Sequence, residues 1–350
     1  MTKKLLALLL IVNYTVFAQQ SYYNDVDLTK TGLQLKNELA TKIIATHTNP
    51  LDYIWNATQA TDLNPSNSSN VLLIYGWENG SDSDCTNDLE RDVNDNGGNV
   101  CDWNREHTYP NSLGTPDLDS SGKNMTAYSD AHNLRASDVQ RNGQRGNKLF
   151  VDSSGNSKTV GSYWYPGDEW KGDVARIVMY MYLRYGSQCL PNNVTVGSTN
   201  SVDSNMIDLL LEWNAEDPVS QYEDNRNNYH ENTSNTYAQG NRNPFIDEPY
   251  LAKQIWGGPE PENRWGILSV ENYNLRSIEL YPNPASGNTL TIQSIEPVEV
   301  QFFNMLGKSI LNLQQVRSNE SVDIGNLPKG MYFVQLSNDT GSITKKFIKQ

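Results

Sequence analysis

The sequence predicts an α+β protein: a mixed helical and β domain followed by a small antiparallel β-sandwich. Helical patterns recur between residues 31 and 229, around the short apolar strand pattern of residues 71–75. From about residue 275 the chain instead shows short alternating strands separated by turns that contain Pro or Gly. We therefore expect one domain over residues 19–275 and a second over residues 276–350.

The first eighteen residues have the layout of a secretory signal peptide. Lys3 and Lys4 precede a short apolar run, and the small residues of Val16-Phe17-Ala18 suit cleavage before Gln19. The run is shorter than the roughly 20 residues that a membrane-spanning helix needs. We expect an exported protein, secreted or attached to the cell surface, whose mature chain has no transmembrane segment.

Four segments of the first domain have helical patterns, namely residues 31–46, 174–185, 205–213 and 218–229. In the first segment Leu35, Leu39 and Ile43 share one face. The second is apolar on most sides, which predicts a buried central helix. Asp217-Pro218 supplies an N-cap residue and a proline at the first helical position, which predicts the start of the fourth.

The chain has three cysteines, and Cys85 and Cys101 flank one acidic loop. Outside the cytoplasm these two can form a disulfide that clamps the loop, with Cys189 unpaired, or all three can be free thiols. Within and after this loop, Asp92–Gly97 and Asp117–Gly122 alternate oxygen-bearing side chains before a glycine. The spacing suits a structural Ca²⁺, but the glutamate of an EF-hand loop is missing, so solvated acidic turns are the alternative.

The formal net charge is −14, which argues against a protein that coats nucleic acid through general positive charge. Residues 128–148 depart from this balance, because they carry four basic and two acidic side chains. The basic side chains are Arg135, Arg141, Arg145 and Lys148. Arginine and lysine donate hydrogen bonds to phosphate oxygens, so Arg135, Arg141 and Lys148 are candidates for binding substrate phosphate.

Two polar segments hold two of the four histidines, with His107 next to Glu106 and His132 next to Asn133. A neutral histidine can take a proton from water, while carboxylate and amide oxygens suit Mg²⁺ or Ca²⁺. Together with the nearby arginines, these residues predict metal-assisted hydrolysis of a phosphodiester. The alternative for His107 is a histidine hydrogen-bonded in the core; His132 either orients the site or is an ordinary buried histidine.

The segment Asn104–Ser112 resembles the N-x-E-H-x-x-P-x-S signature of the endonuclease I family of exported, nonspecific nucleases. Four later blocks resemble further motifs of that family in the same order, at residues 130–138, 142–147, 171–176 and 239–247. The resemblance covers roughly residues 25–257. It implies a ββα-metal, or His-Me finger, core within the mixed domain.

The resemblance also implies roles for single residues. His107 would be the general base, Glu106 and Asn133 would bind one divalent cation, and Arg145 would contact phosphate or brace the site. Mg²⁺ is the expected ion, with Ca²⁺ or Mn²⁺ as alternatives. Family members cut DNA and often RNA with little sequence preference and leave 5′-phosphate ends. Some place an arginine between the two polar segments, where this chain offers only Lys123, so the group that binds the product phosphate stays open.

The C-terminal part resembles a type IX secretion sorting domain. The resemblance rests on Tyr281–Pro284, Leu327–Val334 and the basic end Lys345–Gln350. It implies the type IX secretion machinery as a partner. A β-sandwich that binds some other ligand is the alternative for this domain.

Taken together, the sequence predicts a secreted, metal-dependent, sequence-nonspecific endonuclease that acts on DNA and, as a second substrate, RNA. The competing hypothesis is an extracellular Ca²⁺-stabilised module that binds glycans or surfaces without catalysis. It gives no reason for a basic cluster beside a Glu-His pair. Other hydrolases are less favoured because the sequence contains neither H-E-x-x-H nor G-x-S-x-G.

Overall fold

The structure is a computed structural model that describes residues 21–118, 127–266, 278–294, 297–317, 319–338 and 341–350. The predicted signal peptide and Lys123 lie outside these ranges. The chain divides into two compact units, with the division after Gly266. Within the described ranges, no helix is both long enough and apolar enough to cross a membrane.

The described part of the first unit contains eight α-helices. They are α1 (Gly32–Thr46), α2 (Trp55–Thr61), α3 (Val139–Arg145), α4 (Lys171–Tyr185), α5 (Asp208–Glu216), α6 (Gln221–Glu231), α7 (Pro244–Asp247) and α8 (Tyr250–Trp256). Its strands are β1 (Leu63–Asn64), β2 (Asn67–Leu72), β3 (Glu90–Asp92), β4 (Trp103–His107), β5 (Leu134–Asp138), β6 (Lys158–Val160) and β7 (Tyr163–Tyr165). They form separate antiparallel sheets, β1–β2–β3, β4–β5 and β6–β7. The predicted mixed α and β character is confirmed.

Helix α4 is the central buried helix that the sequence predicts. Every residue from Gly172 to Leu183 is buried. The charged Arg176 is accommodated because its Nε donates to Glu223 of α6 over 2.6 Å. Gly172 is required for close packing, since a Cβ atom there would lie 2.4 Å from the carbonyl oxygen of Asp217. On α1, Leu35, Leu39 and Ile43 form the buried face, as predicted.

The predicted start of the fourth helix was wrong. Asp217 does not cap α6, because its carboxylate accepts a hydrogen bond from Gly172 N (2.8 Å) at the beginning of α4. Helix α6 begins three residues later than predicted, behind a capping box formed by Ser220 and Glu223. The predicted strand at residues 71–75 is also shifted, since β2 ends at Leu72.

The sequence left open whether the cysteines are paired or free, and the structure has a disulfide between Cys85 and Cys101, with Cα atoms 5.6 Å apart. Cys189 is a buried free cysteine. The acidic loop that the disulfide closes is held by its own hydrogen bonds. Asp102 Oδ2 accepts from Asn99 N (2.8 Å), and Asp92 Oδ1 accepts from Asn94 N (2.8 Å). No group of three or more His, Cys, Asp or Glu side chains suited to a metal occurs in the described ranges. A structural Ca²⁺ stays a prediction, and Asp117–Gly122 falls partly outside those ranges.

The second unit consists of antiparallel strands over its described residues. They are β8 (Glu279–Tyr281), β9 (Thr289–Gln293), β10 (Val298–Phe303), β11 (Ser309–Val316), β12 (Glu320–Asp323), β13 (Gly330–Asn338) and β14 (Gly341–Lys349). Two sheets, β11–β10–β13–β14 and β12–β9–β8, share one apolar core. Inward residues such as Val300, Phe302, Val334 and Leu336 are fully buried, which follows from the alternating pattern. Their assignment to a sandwich stays a prediction.

Candidate active site

The first polar segment forms β4, which pairs with β5 in antiparallel register. His107 lies opposite Leu134, and Glu106 lies opposite Arg135. Strand β5 runs directly into α3 at Asp138, whose Oδ1 accepts from the backbone N–H groups of Gln140 and Arg141 (both 2.9 Å). Two strands and a helix are thereby joined into one unit around the predicted site.

Glu106 and His107 line the same cavity of about 310 Å³, although neighbouring side chains of a strand point to opposite faces. The cavity lies at the end of β4, where the chain enters the Thr108-Tyr109-Pro110 turn. Its other lining residues include Tyr53, Arg105, Asn142 and Arg145. The structure therefore brings together the predicted base, one predicted metal ligand and Arg145.

Glu106 is 3% exposed. Its Oε1 accepts from the hydroxyl of Tyr75 (3.0 Å) and lies 3.3 Å from Nη1 of Arg145, whereas Oε2 accepts no hydrogen bond within the described ranges. Burial raises the pKa of Glu106 to about 7, against the lowering effects of Arg145 and Tyr75. A cation at Oε2 would favour the ionised carboxylate.

His107 is held in one tautomer by its surroundings. Its Nε2 lies 2.7 Å from the carbonyl oxygen of Tyr128, and because a carbonyl only accepts, Nε2 must carry the hydrogen. Nδ1 is then the unprotonated acceptor. Burial lowers the pKa of His107 to about 4, so the ring is neutral near pH 7. The ring stacks on Tyr53 at 5.2 Å with an interplanar angle of 20°, which fixes its orientation.

Arg145 is 1% exposed and binds the protein itself. Its Nη2 donates to the carbonyl of Thr108 (2.8 Å), and Nη1 donates to those of Gly146 (3.0 Å) and His107 (3.3 Å). These bonds join α3 to the end of β4, and the guanidinium also pairs with Glu106. Of the two roles that the resemblance implied for Arg145, these contacts support bracing.

Asn133 does not line the cavity. It is fully buried, and its amide is used by the backbone of Tyr109: Oδ1 accepts from Tyr109 N (2.7 Å) and Nδ2 donates to Tyr109 O (3.1 Å). Asn133 thus fixes the turn that follows His107. Its predicted role as a metal ligand conflicts with this geometry.

Asn142 of α3 does line the cavity, and sequence reasoning did not select it. Its Nδ2 donates to Oδ1 of Asn104 (2.7 Å), while its own side-chain oxygen has no hydrogen-bond partner among the described residues. The available signal was its spacing, since Asn142 precedes Arg145 by three residues in the N-x-x-R-x-N block. One helical turn places both side chains on the same face of α3.

Two of the three predicted phosphate-binding residues are buried inside the fold. Arg135 is 1% exposed and donates to Asp173 and to the Tyr222 hydroxyl, both over 2.9 Å. Arg141 is 8% exposed and donates to the carbonyl of Thr86 (3.0 Å). Neither lines the cavity, so the prediction that they bind substrate phosphate is corrected: their charge is used by internal acceptors.

The remaining predicted residues lie outside the cavity lining. Lys148 is half-buried and donates to the carbonyl of Gln144. His132 belongs to a buried cluster, with ring contacts of 4.7 Å to both Tyr180 and His230, and its Nε2 lies 3.3 Å from the carbonyl of Asn241. It is adjacent in sequence to Asn133, which holds the turn after His107. Its orienting role and the phosphate role of Lys148 stay predictions.

Comparison with known proteins identifies the first unit. Residues 31–250 match the family model described as Endonuclease I. The chain belongs to the endonuclease I family. This endonuclease I homologue is therefore a nuclease of the hydrolase class, and the family predicted from the five sequence blocks is confirmed.

Curated relatives agree with this assignment. The endonuclease I homologue is 41% identical over 249 residues to an extracellular ribonuclease of Bacillus subtilis (strain 168), which covers 67% of this chain and 78% of the relative. An extracellular ribonuclease of Bacillus amyloliquefaciens is 39% identical over 250 residues, covering 68% and 78%. An ulvan lyase of Nonlabens ulvanivorans is 29% identical over 96 residues, covering 25% of this chain and 18% of that protein.

The second unit is also identified by a family model. Residues 279–350 match the secretion system C-terminal sorting domain, as the sequence predicted. A sorting domain of this kind, attached to a nuclease, marks the chain as a secreted or cell-surface protein.

Proposed function

We propose that this endonuclease I homologue is a divalent-metal-dependent, sequence-nonspecific endonuclease that hydrolyses DNA and RNA to 5′-phosphate products. The observation that carries the proposal is the cavity on β4, where a neutral His107 with an unprotonated Nδ1 lies beside a carboxylate. RNA is included because the two Bacillus relatives are named extracellular ribonucleases. DNA follows from the family resemblance.

The arrangement of β4, β5 and α3 supports a ββα-metal core. The first strand supplies the proposed base, the second strand pairs with it antiparallel, and the helix follows without a linker. Both Asn142 and Arg145 come from this helix and line the cavity. This short unit can therefore hold the proposed base His107, the cation and the bracing residue Arg145 at fixed positions relative to one another.

Glu106 Oε2 and Asn142 Oδ1 have no hydrogen-bond partner among the described residues, and both oxygens fit a hard divalent cation. Two protein ligands leave positions for water and a phosphate oxygen, which is how Mg²⁺ is usually bound. Mg²⁺ is the expected ion, with Mn²⁺ or Ca²⁺ as alternatives. When bound, it would offset the negative charge that develops on the phosphate. Asn142 thus takes the role that the sequence reading gave to Asn133.

Hydrolysis proceeds with His107 as general base. Nδ1 accepts a proton from a water molecule while the water oxygen forms a bond to phosphorus. The bond between phosphorus and the 3′-oxygen breaks, and the 3′-oxygen takes a proton from solvent. The Tyr128 carbonyl stabilises the imidazolium, because it accepts the hydrogen bond from Nε2. Arg145 holds Glu106 and the end of β4 in place.

The proposal is tested by digestion of plasmid DNA and RNA with the full chain. We expect cleavage with Mg²⁺ and loss of cleavage in EDTA. The products should carry 5′-phosphates, so that a ligase joins them without prior phosphorylation. A folded protein that cuts neither nucleic acid with Mg²⁺, Mn²⁺ or Ca²⁺ would overturn the proposal. The binding module without catalysis would then be the better account.

We also propose that residues 276–350 are read by the type IX secretion machinery as an export signal for the catalytic domain over residues 19–275. In a host that has this machinery, the full chain should reach the medium or the cell surface. The chain without residues 276–350 should stay inside the cell envelope. Equal export of both chains would contradict the role of the second unit.

A further inference from the structure

Arg105 is a cation on the cavity wall that the proposed mechanism does not use. It lies two residues before His107 on β4, so the two side chains share one face of the strand. Its guanidinium is half-buried and lines the cavity together with Glu106 and His107.

The charge of Arg105 is not balanced inside the fold. No carboxylate lies within ion-pair distance of it in the described part of the chain, and its one hydrogen bond goes from Nη1 to the carbonyl of Tyr53 (2.8 Å). Its Nη2 has no hydrogen-bond acceptor among the described residues and is not buried, whereas Nε is buried. Arg135 and Arg145, in contrast, both pair with buried carboxylates. An arginine with unused donors at a cavity points to an anionic ligand.

Aromatic rings hold this guanidinium in place. The Arg105 guanidinium carbon lies 3.6 Å from the ring centre of Tyr53 and 4.0 Å from that of Trp55. Stacking of this kind uses the faces of the planar group and leaves its edge available for hydrogen bonds. Tyr53 also stacks on His107, so the same ring orients both the cation and the proposed base.

Resting on the proposed function, we propose that Arg105 binds a phosphate oxygen of the nucleic-acid strand in the cavity and places the scissile phosphate before Nδ1 of His107. This assigns the phosphate contact that the sequence left open. Arg135 and Arg141, which were predicted to bind substrate phosphate, donate to internal acceptors instead. Contact with the sugar-phosphate backbone of the nucleic acid, rather than with a nucleobase, also agrees with cleavage that does not depend on nucleotide sequence.

A purely structural role for Arg105 would be to fasten the segment before α2 to β4 through Tyr53. The two roles differ in how binding depends on salt. A lost phosphate contact lowers the slope of log affinity against log salt concentration by about 0.9 for duplex DNA. A lost internal fastening lowers thermal stability and leaves that slope unchanged.

The test compares full-length Arg105→Gln and Arg105→Lys with the wild-type chain. Lys158→Gln is a matched control, since this exposed cation does not line the cavity. Binding of a fluorescent DNA duplex is measured by anisotropy in EDTA at several KCl concentrations, and KM and kcat are then measured in Mg²⁺. The midpoint of thermal unfolding is recorded for each variant.

For Arg105→Gln we expect binding weaker by about ten- to a hundred-fold, a slope lower by about 0.9, and a rise in KM that exceeds the loss of kcat. Arg105→Lys and Lys158→Gln should keep the wild-type slope. If Arg105→Gln keeps the wild-type slope and KM, the phosphate role is refuted. If Arg105→Gln does not fold, Arg105→Ala takes its place, and a wild-type slope and KM in that folded variant refute the phosphate role. Absence of cutting by wild type would refute the proposed function instead.

Discussion

Replacing Arg145 by Met tests whether this residue braces the site or contacts substrate. Methionine fills a similar apolar volume but removes every donor. The carbonyls of Thr108, Gly146 and His107 would lose their shared partner, and Glu106 would lose its neighbouring positive charge.

Removing Arg145 leaves the carbonyls of Thr108, Gly146 and His107 without their donor, and a buried acceptor left unsatisfied costs about 1–3 kcal/mol. Glu106 adds less, because its pKa of about 7 would rise further and the carboxyl would take up a proton. We therefore expect the free energy of unfolding of Arg145→Met to fall by about 3–5 kcal/mol. Activity should fall with it, since β4 and the cavity are no longer tied to α3.

The assay is urea unfolding followed by tryptophan fluorescence, with Arg141→Met as the control from the same helix. Arg141 loses the bond to the Thr86 carbonyl and its contact with the Trp77 ring, which predicts a loss of only about 1–2 kcal/mol. If Arg145→Met unfolds at the wild-type urea concentration but binds DNA poorly, the bracing argument is refuted. Arg145 would then be a substrate contact.

Two further predictions separate neighbouring roles. Asn142→Ala should raise the Mg²⁺ concentration needed for half-maximal cleavage by at least about ten-fold. Asn133→Ala should instead lower the free energy of unfolding by about 1–3 kcal/mol and leave the Mg²⁺ requirement unchanged. The reverse pattern would show that Asn133, and not Asn142, is the metal ligand. His230 is buried with both ring nitrogens unpartnered in the described structure, and burial places its pKa well below 6.5. The unfolded chain therefore binds a proton below about pH 6.5 that the folded chain does not, and stability falls as pH decreases. His230→Phe should remove a part of that fall which approaches about 1.4 kcal/mol per pH unit below about pH 5.5, measured by urea unfolding. An unchanged pH dependence would contradict the buried neutral state.

Local periodicity could be predicted from the sequence. The apolar face of α1 and the all-round apolar pattern of α4 are properties of consecutive residues, so they identify the helices without tertiary information. The loop that they flank identified Cys85 and Cys101 as the candidate pair, but the sequence did not decide between a disulfide and free thiols. The Glu106-His107 pair was found because adjacent residues must remain neighbours in any fold.

What the sequence could not supply was the direction of charged and amide side chains. Arg135 and Arg141 lie near the site in sequence, yet both are buried and donate hydrogen bonds to internal acceptors. Asn133 was selected from the second polar segment, but tertiary contact with Tyr109 uses both of its amide atoms. The start of α6 was predicted wrongly because the Asp217 carboxylate accepts a hydrogen bond from the beginning of α4 instead of capping α6. Each error comes from a partner distant in sequence.

We propose Nδ1 of His107 as the general base of a metal-dependent nuclease. The most direct measurement is the rate of plasmid cleavage in Mg²⁺ by full-length His107→Ala, with and without added imidazole. We expect a loss of about 10²–10⁴-fold in kcat for the folded variant, and partial recovery of cleavage with imidazole. Cleavage by the folded variant at the wild-type rate would contradict this role of His107.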